Sequence, residues 1–182
     1  MKYVVPNLKR DNVYKATNYD RFLTLVTKLR RKEIQNRLIL IDNIYVYVFF
    51  SENYEKTTPI NKHIIYPWVS NDFPDADLCI TIYEDFFDLR NKKAQLFLLA
   101  RTVGYSKVHN LRIPQYGIDK RRRDALKNFD LIEEDLLADQ YAAKVIFINT
   151  REVMLFIAEY IDRVFENSQE ALEWRLRSRY VK

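Results

Sequence analysis

The chain has 182 residues, 48% of them hydrophobic, and 30 Lys+Arg against 25 Asp+Glu give it a net charge of +5. A chain of this length and apolar content buries about 70% of the surface it exposes when unfolded, which excludes disorder as its main state and predicts one unit with at most a small appendage. A single cysteine, Cys79, rules out an internal disulfide framework and a thiolate zinc cluster, two glycines rule out a glycine-rich phosphate cradle, and no apolar run approaches the roughly 20 residues of a membrane span. The first twenty residues lack the charged start, apolar stretch and cleavage site of a signal peptide, so the expected location is the cytoplasm.

In chain order, Phe22, Leu25, Val26, Leu29 and Ile34 recur at nearly helical spacing and predict a first helix over 18–37, capped by Asn18 or Asp20. The β-branched and aromatic runs 38–41 and 44–50 flank Asp42-Asn43, a two-residue turn signal, and predict a hairpin with an aromatic face at Tyr45, Tyr47 and Phe49. A short strand is expected over 63–66, an irregular excursion over 67–77 and a further strand over 78–83. From Asn91 to His109 the sequence is too apolar for a surface helix and predicts a buried one. Asp130 with Glu133, Asn149 with Glu152 and Asn167 with Glu170 each have capping-box spacing, predicting helices from there to about Val145, Phe165 and Leu176. The expected class is α+β, with helices packed on a small, mostly antiparallel sheet.

Zinc-peptidase chemistry uses an HExGH helix, with two His ligands four residues apart on one face and a Glu between them as general base. Aligned on Gly104, the helix through Leu99-Ala100-Arg101-Thr102-Val103-Gly104-Tyr105 puts Arg101 and Tyr105 in the ligand positions and Thr102 in that of the base. A guanidinium that is always charged repels a metal ion, and neither Thr102 nor Tyr105 can act as the base at neutral pH. Gly104 is retained although glycine inside a helix costs about 1 kcal/mol relative to alanine, which predicts close packing there. Downstream, Glu133-Glu134-Asp135-Leu136-Leu137-Ala138-Asp139 places Asp135 and Asp139 on one helical face. The expectation is that Arg101 pairs with Asp135 or Asp139 in the place of a metal.

The ordered set of strand, glycine-bearing helix, acidic helix and terminal helical pair, over about Leu78 to Leu176, resembles the ImmA/IrrE metallopeptidase family. The resemblance implies a zincin-like α+β domain over 1–148 and a helix-turn-helix-like segment over 149–182 packed on it. It implies Asp135 in the position of the third metal ligand, and a groove between sheet and helix that holds an extended protein segment. Members of that family are zinc-dependent peptidases that inactivate a partner repressor. With the site positions replaced, the implied activity here is that of a pseudoenzyme, without metal or cofactor, binding a repressor, another regulator or a defence factor. A phage or other mobile element is the origin that the family suggests. Strand addition along Leu78, Ile80, Thr81 and Ile82 is the expected binding mode.

Other readings compete. Lys120-Arg121-Arg122-Arg123, with Arg175, Arg177, Arg179 and Lys182, could contact phosphates, so a DNA-binding regulator is the second class. A rearranged metal site from His109, Asp135 and Asp139 is a third reading. The structural reading of His63 is a hydrogen-bonding side chain, and that of Cys79 a small buried one.

Overall fold

The computed structural model describes residues 14–16, 19–31, 38–41, 43–50, 63–68, 72–108, 131–146 and 148–181. Five strands, β1 (Tyr14–Ala16), β2 (Leu38–Ile41), β3 (Ile44–Phe50), β4 (Ile65–Trp68) and β5 (Leu78–Ile82), form one sheet in the order β1-β2-β3-β5-β4. The β2–β3 hairpin forms as expected, Ile41 facing Ile44 and Asn43 taking a φ of 63°, a left-handed conformation that Asn tolerates. Strand period divides β3 cleanly: Ile44, Val46 and Val48 join the main core, while Tyr47, flanked by Tyr45 and Phe49, joins a second cluster with Leu38, Phe73 and Cys79. Tyr47, Phe49 and Phe73 pack in tilted and edge-on pairs with ring centroids 4.4 to 5.1 Å apart, so the aromatic face is packed under the 72–77 excursion.

The sheet is mixed rather than mostly antiparallel. β1 runs parallel to β2 and β3 parallel to β5, while β2–β3 and β4–β5 are antiparallel. The reason is the position of β4: the chain leaving β3 goes to the far side of β5 before returning, and β5 then lies parallel to β3. The fourth strand is also displaced from the expected 63–66 and includes Pro67. Proline is compatible with a strand that has one unpaired side, and β4 is an edge among the described residues.

Six helices are described: α1 (Tyr19–Arg30), α2 (Glu84–Asp88), α3 (Lys92–Val108), α4 (Leu131–Ile146), α5 (Thr150–Phe165) and α6 (Ser168–Arg177). Ala94, Phe97, Leu99, Ala100 and Val103 are wholly buried, so α3 is the central helix its composition predicts, touching α1, α4, α5, β4 and β5. Asn91 Oδ1 accepts from the Ala94 N–H at its start. Asn149 and Asn167 likewise accept from the N–H groups of Glu152 and Glu170, and each carboxylate reaches back to its Asn amide. Glu166, at φ 53°, turns the chain sharply between α5 and α6. The last two helices share the main core through Met154, Ile157, Ala171 and Trp174.

Candidate functional site

Three helices contribute to one buried cluster of charge. The i, i+4 spacing puts Arg101 and Tyr105 on one face of α3 and Asp135 and Asp139 on one face of α4. Gly104 lets those faces approach: a Cβ there would lie 2.9 Å from Tyr141 Cδ1 and 3.1 Å from the Ala138 carbonyl oxygen, and the opposing Ala138 and Ala142 are also small and fully buried. Close packing is therefore the physical reason for the helical glycine.

Arg101 pairs with both carboxylates. Its Nε donates to Asp139 Oδ1 at 2.5 Å, and its Nη2 donates to Asp135 Oδ1 and to the Tyr105 hydroxyl at 2.7 Å each. From α6, Arg177 Nε donates to Asp139 Oδ2 at 2.7 Å, and Arg177 Nη1 lies 3.7 Å from Asp135 Oδ2. Both guanidinium carbons stand 4.7 Å from the centroid of the Trp174 ring, within cation–π range. The four charged residues are at most 7% exposed, and two positive charges balance two negative ones. Burial by itself pulls the Arg101 guanidinium down, but Asp139 and Asp135 more than reverse that and hold its pKa above the ordinary value. Arg101 is permanently charged here.

These residues do not suit a metal. The position between the acidic and glycine-bearing helices is filled by a cation whose hydrogen bonds already occupy Asp135 and Asp139, and a divalent ion beside it would be repelled. Among the described residues no group of three His, Cys, Asp or Glu side chains is placed to hold one. His109, the third member of the rearranged metal set, lies outside the described residues. Thr102 is buried and returns its hydroxyl to the Leu98 carbonyl at 2.6 Å, a bond inside its own helix.

Arg177 was not legible as part of this cluster. The sequence reading groups it with Arg175, Arg179 and Lys182 as added positive charge, yet it lies three residues after Trp174 on the inward stripe of α6 with Ala171. Its place three residues after Trp174 and six after Ala171 was the available signal. Arg175, by contrast, is half-exposed and pairs with Asp162 at 3.0 Å. Lys120, Arg121, Arg122 and Arg123 lie outside the described residues.

A cleft of about 50 Å³, room for a few water molecules, opens beside the cluster between β4 and α3, where Ile65 and Pro67 face Arg101, Thr102 and Tyr105, with Trp174 of α6 completing it. The sheet order corrects the expected binding strand. Leu78, Ile80, Thr81 and Ile82 belong to β5, which is bonded to β3 on one side and β4 on the other and offers no free edge. Their side chains are committed as well: Leu78, Ile80 and Ile82 are core, and Thr81 Oγ1 accepts from Trp68 Nε1 at 2.9 Å. The strand beside the cleft is β4. The Tyr83 N–H donates to the Ile64 carbonyl, so antiparallel alternation turns the peptide groups of Ile65 and Pro67 away from β5.

No protein-family model matches the chain, and comparisons with curated proteins and with solved structures find no match.

Proposed function

We propose that this chain is a metallopeptidase-like protein that works by holding a protein partner and not by cutting it. The observation that carries the reading is Arg101: a permanent cation, tied to Asp139, Asp135 and Tyr105, occupies the helical position at which a zinc peptidase of the resembling type carries a ligand. The position assigned to the general base holds Thr102, whose hydroxyl is bonded within its helix. What remains is a cleft flanked by a strand edge that is unpaired among the described residues, a place where an extended segment of a partner can pair its backbone with Ile65. By analogy with ImmA/IrrE proteins, the partner is a repressor, another regulator or a defence factor, and the chain is a regulator or inhibitor carried by a phage or mobile element.

The test is affinity capture with the tagged chain from extracts of its source organism, in low and high salt, beside an Ile65→Pro variant. Proline at 65 removes an N–H that β5 does not use, so the internal ladder survives. A stoichiometric, uncleaved partner that resists high salt and is lost with Ile65→Pro is the expected result. Cleavage of the captured protein would overturn the reading, as would recovery of nucleic acid alone at low salt, the behaviour of a DNA-binding regulator.

A further inference from the structure

Arg101 has more donors than its partners use. Asp139 takes Nε, while Asp135 and Tyr105 share Nη2. Among the described residues no acceptor is bonded to Nη1, although the side chain is 7% exposed and forms part of the cleft wall. The Tyr105 hydroxyl accepts from Nη2, which leaves its own proton to be donated elsewhere, and Tyr105 borders the same cleft. An oxygen that enters the cleft can accept from both donors, and the bond from the guanidinium is charge-assisted. The charge balance says which kind. Among the described residues two guanidinium groups and two carboxylates already cancel, and Glu170 also lies on the cleft wall, so a further anion would be buried beside negative charge. A neutral carbonyl meets no such penalty.

We propose that Arg101 Nη1 and the Tyr105 hydroxyl form a seat for one main-chain carbonyl oxygen of an extended protein segment lying along β4. This rests on the reading that the cleft binds such a segment, and it assigns the anchoring atoms. The outward edge of β4 is short of hydrogen bonds, because Ile65 offers an N–H and a carbonyl but Pro67 only a carbonyl. A strand laid on so limited an edge gains little from the ladder. Donors on the facing helix supply a second line of attachment across the cleft.

The experiment selects a displayed library of unstructured peptides on the purified full chain, then compares retained peptides on wild type, Tyr105→Phe and Ile65→Pro while following the Ile65 amide and Arg101 Nη signals by NMR. Tyr105→Phe is expected to weaken binding about tenfold with its fold intact, and the peptide is expected to shift the Arg101 signals of wild type. Peptides that shift Ile65 and are lost with Ile65→Pro, yet bind Tyr105→Phe as tightly as wild type, overturn the seat and leave the binding reading standing. Peptides that require a free C-terminal carboxylate and lose binding on amidation assign the donors to an anion and overturn the carbonyl. Retention of no peptide overturns both. Should Tyr105→Phe not fold, the Arg101 signals decide: movement on wild type supports the seat, and no movement removes it.

Discussion

Arg101 is the residue on which the site turns, because its charge is buried with every neighbour arranged around it. Replacing a whole buried ion cluster by apolar side chains can be neutral, but removing one member strands the others in low dielectric. Arg101→Ala is therefore expected to lose about 3 to 5 kcal/mol, measured by urea unfolding, and Asp139→Asn to lose a comparable amount. Because they share hydrogen bonds, the double variant should lose clearly less than the sum. Strict additivity would mean that the bond from Arg101 Nε to Asp139 contributes nothing. A second expectation concerns alkali. Burial pushes the Cys79 thiol up to about 12 from an ordinary value of 9.0. An acid whose folded pKa is raised keeps its full contribution below the unfolded value and loses it as the pH climbs to the folded one. Tyr47, raised by burial and by Cys79, and Tyr160, raised by burial and by its bond to Asp85, act with the same sign from about pH 10. Urea midpoints should hold steady below about pH 9 and fall towards 12, less steeply in Cys79→Ala; a flat profile would contradict the burial. At this scale the sequence revealed Arg101, Asp135 and Asp139 because i, i+4 spacing is local. It concealed Arg177, since a charge count treats an arginine near the chain end as solvated whichever way its helix faces.

At the scale of elements, the contact between α3 and α4 depends on Gly104. Alanine there would gain about 1 kcal/mol in helix propensity but would press on Tyr141 and the Ala138 backbone. Overpacking costs about 1 to 3 kcal/mol, so Gly104→Ala should lower the melting temperature, and Tyr141→Ala in the same chain should recover part of the loss. A melting temperature raised by Gly104→Ala would mean the helices are not in contact at that point. The helix starts at Asn149 and Asn167, the hairpin and the buried character of α3 were readable from sequence because each rests on neighbours within a few residues. The five residues of α2 and the true span of β4 were not. A single turn has too little periodicity to recognise, and Pro67 argues against a strand unless it is known to lie at an edge. A strand was expected near β4 but not its pairing with β5, so β5 was read as the exposed strand.

For the molecule as a whole, the C-terminal helices are part of the core and of the charge cluster, not an attachment to them. Trp174 and Arg177 close the cluster over Arg101 and Asp139. A chain truncated after Glu166 is expected to unfold less sharply and at lower urea than the full chain, because Asp139 would keep only one of its two arginine partners and the core would lose Ala171 and Trp174. A truncated chain that unfolds as sharply as the full one would show that the last helix is dispensable. Sheet order was the part least legible from sequence, since it is set by contacts between segments far apart in the chain. The central proposal is that a guanidinium, and not a metal ion, holds the facing sides of α3 and α4 together. The most direct measurement is the zinc content of the purified full chain, together with its melting temperature with added zinc and with a chelator. Substoichiometric zinc and one unchanged melting temperature throughout are expected; stoichiometric zinc with a melt that drops on chelation would contradict the structural role of Arg101.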